Sequence, residues 1–127
     1  MKAKTTVHLI NYHFVFCPRY RRKIFNNESL DLRFKELVKE TCSEYGLEVV
    51  SMETDKDHVH LFINASPFLS PSDIMAKVKG KTSKIPREEF PDIKHLPSLW
   101  TRSYSVSTAG NVSSETIKRY VENQRKR

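Results

Sequence analysis

The sequence predicts an α+β domain in which helices cover one face of an antiparallel sheet. Three observations predict it. Segments rich in Val, Ile, Tyr and Phe read as strands, segments with apolar residues three and four apart read as helices, and Gly, Pro, Asn and Ser stand at the breaks between them. With 127 residues, the chain suits one domain whose core needs neither disulfides nor a structural metal.

The elements follow in order. Thr5 to Cys17 has no Gly or Pro until Pro18 and reads as a long strand that Pro18 ends. Asn27 or Ser29 can cap a helix whose positions Leu30, Phe34, Leu37, Val38, Thr41, Cys42 and Tyr45 share one face, and Gly46 supplies its stop. Leu47 to Glu53 and His58 to Asn64 read as two strands pairing antiparallel across the polar loop Thr54-Asp55-Lys56-Asp57. Ser70, Pro71 and Asp73 form a helix-start signature, with Pro at the first helical position; Ile74, Val78 and Thr82 give that helix a thin apolar stripe among lysines. Pro86, Pro91 and Pro97 predict an irregular connector with a helical turn at Arg87 to Phe90. Leu99 to Thr108 reads as a further strand, with Trp100, Tyr104 and Val106 alternating, and Gly110 ends it. Asn111 or Ser113 caps a final helix with Glu115 in its first turn and basic residues in its last, the charge order a helix dipole favours. The first six elements have the βαββαβ order of a ferredoxin-like sandwich. The sandwich spans residues 1–108 and the added helix spans 111–127, all within one domain.

Charge narrows the partner. Lysine and arginine total 22 against 15 acidic residues, a net charge of +7. The second half of the chain carries most of the excess. Basic residues cluster at Arg19, Arg21, Arg22 and Lys23; at Lys77, Lys79, Lys81, Lys84 and Arg87; and at Lys118, Arg119, Arg125, Lys126 and Arg127. Clusters that converge on one face would bind a polyanion, because each neutralised phosphate releases condensed counterions; dispersed, they would serve solubility. No apolar run approaches the roughly 20 residues of a membrane span. The basic amino end has no long apolar centre or small-residue cleavage site, so no secretory signal is expected. Cys17 and Cys42 are too far apart for a CxxC motif, and a reducing, cytoplasmic setting is expected.

The strongest local signal is Asp57-His58-Val59-His60-Leu61-Phe62. Residues two apart on a strand point to the same face, so His58 and His60 can share one metal ion while Val59 and Leu61 face the other way. Two histidines on a polar sheet face are also compatible with this pattern. Ligating imidazoles need partners on their second nitrogens, and Asp57, Asp55 and Glu53 are the nearest candidates. In the final helix Tyr120 and Gln124 stand four apart on one face beside Ile117 and Val121; taken alone, a tyrosine on an amphipathic helix is usually a packing residue. Together these residues suit phosphodiester chemistry: a phenol attacks phosphorus, and neutral ligands leave a divalent ion its full charge for the phosphate.

HVHLFINASP resembles the His-hydrophobic-His motif of the single-tyrosine transposases of the insertion-sequence family 200/605. YVENQ resembles that family's nucleophile helix, HLINYHFVFCPRYRRKIF its opening strand and basic loop, IMAKVKGKTSKIPREEF its lysine-rich second helix, and LWTRSYSVSTAG its last strand and tether. The resemblance covers nearly the whole chain in order. It implies a homodimer that cuts and rejoins single-stranded DNA at transposon ends, recognises hairpins near those ends, and uses Mg²⁺ or Mn²⁺. It implies that Tyr120 is the nucleophile, forming a 5′-phosphotyrosine link, and that His58, His60 and Gln124 hold the ion. Active sites shared between subunits are implied as well, with Gly110 as hinge. Lys77, Lys79, Lys81 and Lys84 would track the hairpin backbone. Arg19, Arg21, Arg22 and Lys23 would hold the strand, with Tyr20 as a stacking surface. His8 and His13 are expected at the edge of the core, and Trp100 in the core or a dimer interface. Two rivals are a noncatalytic single-strand binder, which needs exposed aromatics on the middle strands, and a phosphoesterase using activated water.

Overall fold

The structure, a computed structural model, describes residues 9–108. The expectations for His8, Gly110, Tyr120, Gln124 and the terminal basic cluster fall outside those residues. The element order is β1 (Ile10–Phe16), α1 (Glu28–Glu44), β2 (Glu48–Asp55), β3 (His58–Ala65), α2 (Pro71–Glu89) and β4 (Ser105–Thr108). The strands form one antiparallel sheet in the order β2-β3-β1-β4, the arrangement of a ferredoxin-like sandwich. β3, which carries both histidines of the motif, is therefore a central strand.

Helix boundaries follow from their capping chemistry. Asn27 accepts a hydrogen bond from the Leu30 amide at 3.1 Å, with Glu28 and Asp31 in the first turn of α1. Gly46, at φ 70°, turns the chain out of the helix, and the Leu47 amide then reaches the Cys42 carbonyl at 2.8 Å. In α2, Ser70 and Asp73 form a reciprocal capping box ahead of Pro71.

Both helices lie against one face of the sheet. Phe14 and Phe16 of β1 and Val59, Leu61 and Ile63 of β3 meet Phe34 and Val38 of α1 and Ile74, Met75 and Val78 of α2 in one buried cluster. Trp100 closes one end of it. Its ring meets Phe16 edge-on at 5.0 Å, and its Nε1 donates to the buried Thr82 Oγ1 at 3.0 Å, which in turn donates to the Val78 carbonyl at 2.7 Å. Trp100 is thus a core residue. Cys17 and Cys42 are free thiols, and burial pushes Cys42 up to about 12.

Three boundaries differ from the expectations. Helix α2 runs through Pro86 to Glu89 instead of yielding to a connector at Pro86. The ring is buried, only the last turn loses a backbone donor, and Arg33 of α1 grips both carboxylate oxygens of Glu89 at 2.9 and 3.1 Å. The last strand begins at Ser105 rather than Leu99. Upstream of it, Leu99 and Trp100 turn into the core while their backbone pairs with Cys17 to Arg19, and the Lys79 ammonium draws in the carbonyls of Thr101 and Ser103, each at 2.9 Å. The turn between β2 and β3 is shorter than expected, only Lys56 and Asp57, because the strand pairing continues to Asp55 opposite His58.

Candidate functional site: a histidine pair beside a basic loop

Strand alternation divides β3 between two tasks. Val59, Leu61 and Ile63 are buried under the helices, and His58 and His60 project from the other face. Register supplies their neighbours. Val15 of β1 and Glu53 of β2 stand opposite His60, Asp55 stands opposite His58, and His13 stands opposite Phe62.

Each imidazole is held through Nδ1. For His58 the partner is Asp57, whose Oδ1 lies 2.7 Å away. A carboxylate only accepts, so His58 Nδ1 carries the hydrogen and Nε2 keeps its lone pair. Arg21 meets that lone pair: its Nη2 donates to His58 Nε2 at 3.0 Å while its Nε donates to Asp57 Oδ2 at 3.2 Å. Burial alone would raise the Asp57 carboxyl, but the hydrogen bonds from His58 and Arg21 outweigh it and hold the group below the usual carboxylate range. Asp57 is thus bonded to a histidine of the pair. Asp55 and Glu53 act on His60 through charge.

For His60 the Nδ1 partner is His13 Nε2, at 3.2 Å. The His13 ring stacks on Phe62 at 4.0 Å, nearly parallel, and is buried. Burial, helped by the neighbouring His60, pushes His13 down to about 4. Burial and the charge of His58 also hold His60 below its ordinary value, against the opposite pull of Asp55 and Glu53. His13 and His60 are therefore neutral near pH 7, the form in which an imidazole binds metal. Phe62 is only 2% exposed, so it is not the open stacking platform that a single-strand binder of the RNA-recognition type would need on a middle strand.

The donor set fits a divalent ion in part. Two imidazoles suit Mn²⁺, and Mg²⁺ would add water and phosphate oxygens. Among the described residues no group of three or more His, Cys, Asp and Glu is placed to hold a cation. Gln124 and Tyr120, to which the family resemblance gives the parts of a further ligand and of the nucleophile, lie outside the described residues.

The basic residues occupy different settings. Arg21 alone among the predicted DNA contacts touches the histidine pair. Arg19 donates to the Trp100 carbonyl at 3.2 Å, Arg22 lies over the Tyr20 ring at 5.1 Å, and Lys23 is exposed. Lys77 sits over Tyr45 at 4.3 Å, Lys79 is committed to its two carbonyls, Lys81 faces Glu44 at 3.8 Å, and Lys84 is exposed. Arg19 and Lys79 also line a hollow of about 370 Å³ together with Arg87 and Arg102, and among the described residues its wall holds no acidic side chain. Arg87 sits at the end of the lysine-rich helix; nothing in the sequence singled out Arg102.

Comparison with known proteins bears on this arrangement. Residues 6–124 match the family model of IS200-like transposases. The ISDra2 transposase TnpA of Deinococcus radiodurans is 29% identical over 97% of this chain and 89% of its own length. The transposase of insertion element IS200 from Salmonella typhimurium is 31% identical over 89% of this chain and 75% of its own. Among solved structures, a candidate transposase from Deinococcus radiodurans superposes with a TM-score of 0.76 at 29% identity, covering 98% of this chain and 97% of the other. A REP-associated tyrosine transposase bound to a REP hairpin shares the fold at a TM-score of 0.63 and 10% identity, covering 95% of this chain and 68% of the other.

Proposed function

The chain belongs to the IS200-like transposases, and from that premise we propose that it cleaves and rejoins single-stranded DNA at the ends of its element through a covalent tyrosine intermediate. The observation that carries this reading is the pairing of His58 and His60 on one face of the central strand, each with its Nδ1 engaged by a separate partner, Asp57 and His13. Such outer contacts fix tautomer and ring orientation in metal-binding histidines. His58 already has its Nε2 lone pair directed away from Asp57. His60 attains the same tautomer when its Nδ1 donates to His13 Nε2, which a neutral His13 allows. A Mg²⁺ or Mn²⁺ ion held by His58, His60 and Gln124 would supply Lewis-acid neutralisation of the scissile phosphate.

The protein's own groups account for the remaining steps. The Tyr120 phenol loses its proton and its oxygen attacks phosphorus; the bond from phosphorus to the 3′ oxygen breaks, and that oxygen leaves with the electron pair and takes up a proton. A 5′-phosphotyrosine ester conserves the bond for rejoining, when a 3′-hydroxyl attacks the same phosphorus and releases the phenol. Arg19, Arg21, Arg22 and Lys23 hold the strand near the histidines, and Lys77, Lys81 and Lys84 follow the hairpin backbone, whereas Lys79, expected among them, is engaged by the carbonyls of Thr101 and Ser103. In keeping with the family resemblance, the protein acts as a homodimer in which the segment 111–127, a helix by its sequence, serves the histidine pair of the other subunit, with Gly110 as the pivot.

Incubation with single-stranded end oligonucleotides and Mg²⁺ tests the proposal. A denaturant-stable protein–DNA adduct mapping to Tyr120 is expected. Tyr120→Phe should abolish it while leaving hairpin binding nearly intact. Full cleavage by Tyr120→Phe would favour a phosphoesterase that uses water.

A further inference from the structure

We infer that Arg21 holds the cation-binding nitrogen of His58 in reserve until a DNA phosphate takes its guanidinium, so that strand binding and cation binding assist each other. This rests on reading His58 and His60 as cation ligands. The guanidinium has only donors and stays charged; at 3.0 Å from Nε2 it uses the lone pair that a metal ion would need. Arg21 and a cation therefore cannot both engage His58. Its second contact, from Nε to Asp57 Oδ2 at 3.2 Å, aims the same fork at the residue that orients His58, and withdrawal of Arg21 leaves the bond between Asp57 and His58 in place.

The backbone around Arg21 is specialised for this reach. Tyr20 and Arg21 have φ values of 60° and 54°, two consecutive left-handed residues without a glycine. Such conformations persist only where surrounding contacts enforce them. Here the Arg21 amide bonds the Pro18 carbonyl at 3.1 Å, the Arg22 amide bonds the Arg19 carbonyl at 3.3 Å, and the Arg19 amide bonds the Leu99 carbonyl at 2.9 Å. The Arg21 side chain is itself 59% exposed, and it sits among Arg19, Arg22 and Lys23. A phosphodiester approaching that cluster offers two anionic oxygens in the geometry the guanidinium fork prefers. Its capture of Arg21 frees Nε2, and by linkage a bound cation frees Arg21 for the strand.

Equilibrium Mn²⁺ binding, followed by the loss of the free-ion electron paramagnetic resonance signal, tests this without reference to cleavage. Oligothymidylate at low salt serves as the phosphodiester probe. Wild type should bind Mn²⁺ at least about fivefold more tightly with the oligonucleotide than without it, the lower end of typical coupling. Arg21→Ala, and Arg21→Gly, which suits the left-handed backbone, should bind Mn²⁺ more tightly than wild type in the absence of DNA and show a smaller oligonucleotide effect, what remains being direct coordination of the ion by phosphate oxygens. Unchanged or weaker Mn²⁺ affinity in both variants, or an oligonucleotide effect as large as that of wild type, overturns the inference. His58→Ala and His60→Ala separate the two readings. If they leave wild-type Mn²⁺ binding intact, the cation site itself is misassigned and both readings fall. If they abolish binding while the Arg21 variants behave as wild type, only the role of Arg21 is lost.

Discussion

The two faces of strand β3 make opposite use of the same eight residues. Toward the helices, Val59, Leu61 and Ile63 are at most 1% exposed and serve packing. On the other face, His58 and His60 are partly exposed and each is held by a directional contact, to Asp57 and to His13. Packing on the first face fixes the backbone from which the histidines project. Orientation on the second depends on hydrogen bonds that contribute little to folding. Changes on the two faces should therefore separate stability from chemistry.

The largest effect is expected on the histidine face. His60→Ala or His58→Ala should lower metal-dependent cleavage by on the order of 10²-fold or more, with the urea midpoint almost unchanged; normal cleavage would reject the site. The matching change on the packed face, Leu61→Ala, should cost about 2–5 kcal/mol in urea unfolding while the remaining folded protein binds Mn²⁺ as wild type does. A Leu61→Ala protein of native stability with lost Mn²⁺ binding would break the comparison. Asp57→Asn sharpens it by leaving both faces packed and removing only the carboxylate that orients His58. Mn²⁺ affinity should fall by about 10- to 100-fold in a titration. The smallest effect is expected in the core: Thr82→Val removes the acceptor of the Trp100 indole N–H and should cost about 1–2 kcal/mol in the same unfolding assay, with no change in Mn²⁺ affinity.

Local pattern made part of this legible. The βαββαβ order follows from switches in hydrophobic period and from Asn27, Gly46, Ser70 and Pro71, whose capping chemistry acts within a few residues. The two-residue period of a strand likewise places His58 and His60 on one face. What sequence concealed depends on long-range contact. Pro86 reads as a helix end because the local cost of proline is visible, whereas the grip of Arg33 on Glu89, 56 residues away, is not. Trp100 and Tyr104 read as strand alternation, but Lys79 and the Cys17–Arg19 backbone claim that segment first. His13 was expected at the core edge; that its Nε2 lies against His60 follows only from the register of β1 on β3. Arg21 was one basic residue among four, and the left-handed turn that carries it to His58 leaves no glycine signature. The parts assigned to Tyr120 and Gln124 rest on the family resemblance.

The most direct test of the central claim is pulsed electron paramagnetic resonance of Mn²⁺ bound to the protein. Both imidazoles in the coordination shell predict nitrogen couplings from two ligands, reduced to one in either His58→Ala or His60→Ala and absent in the double variant. A bound ion without nitrogen coupling, or couplings that persist in the double variant, would contradict the account.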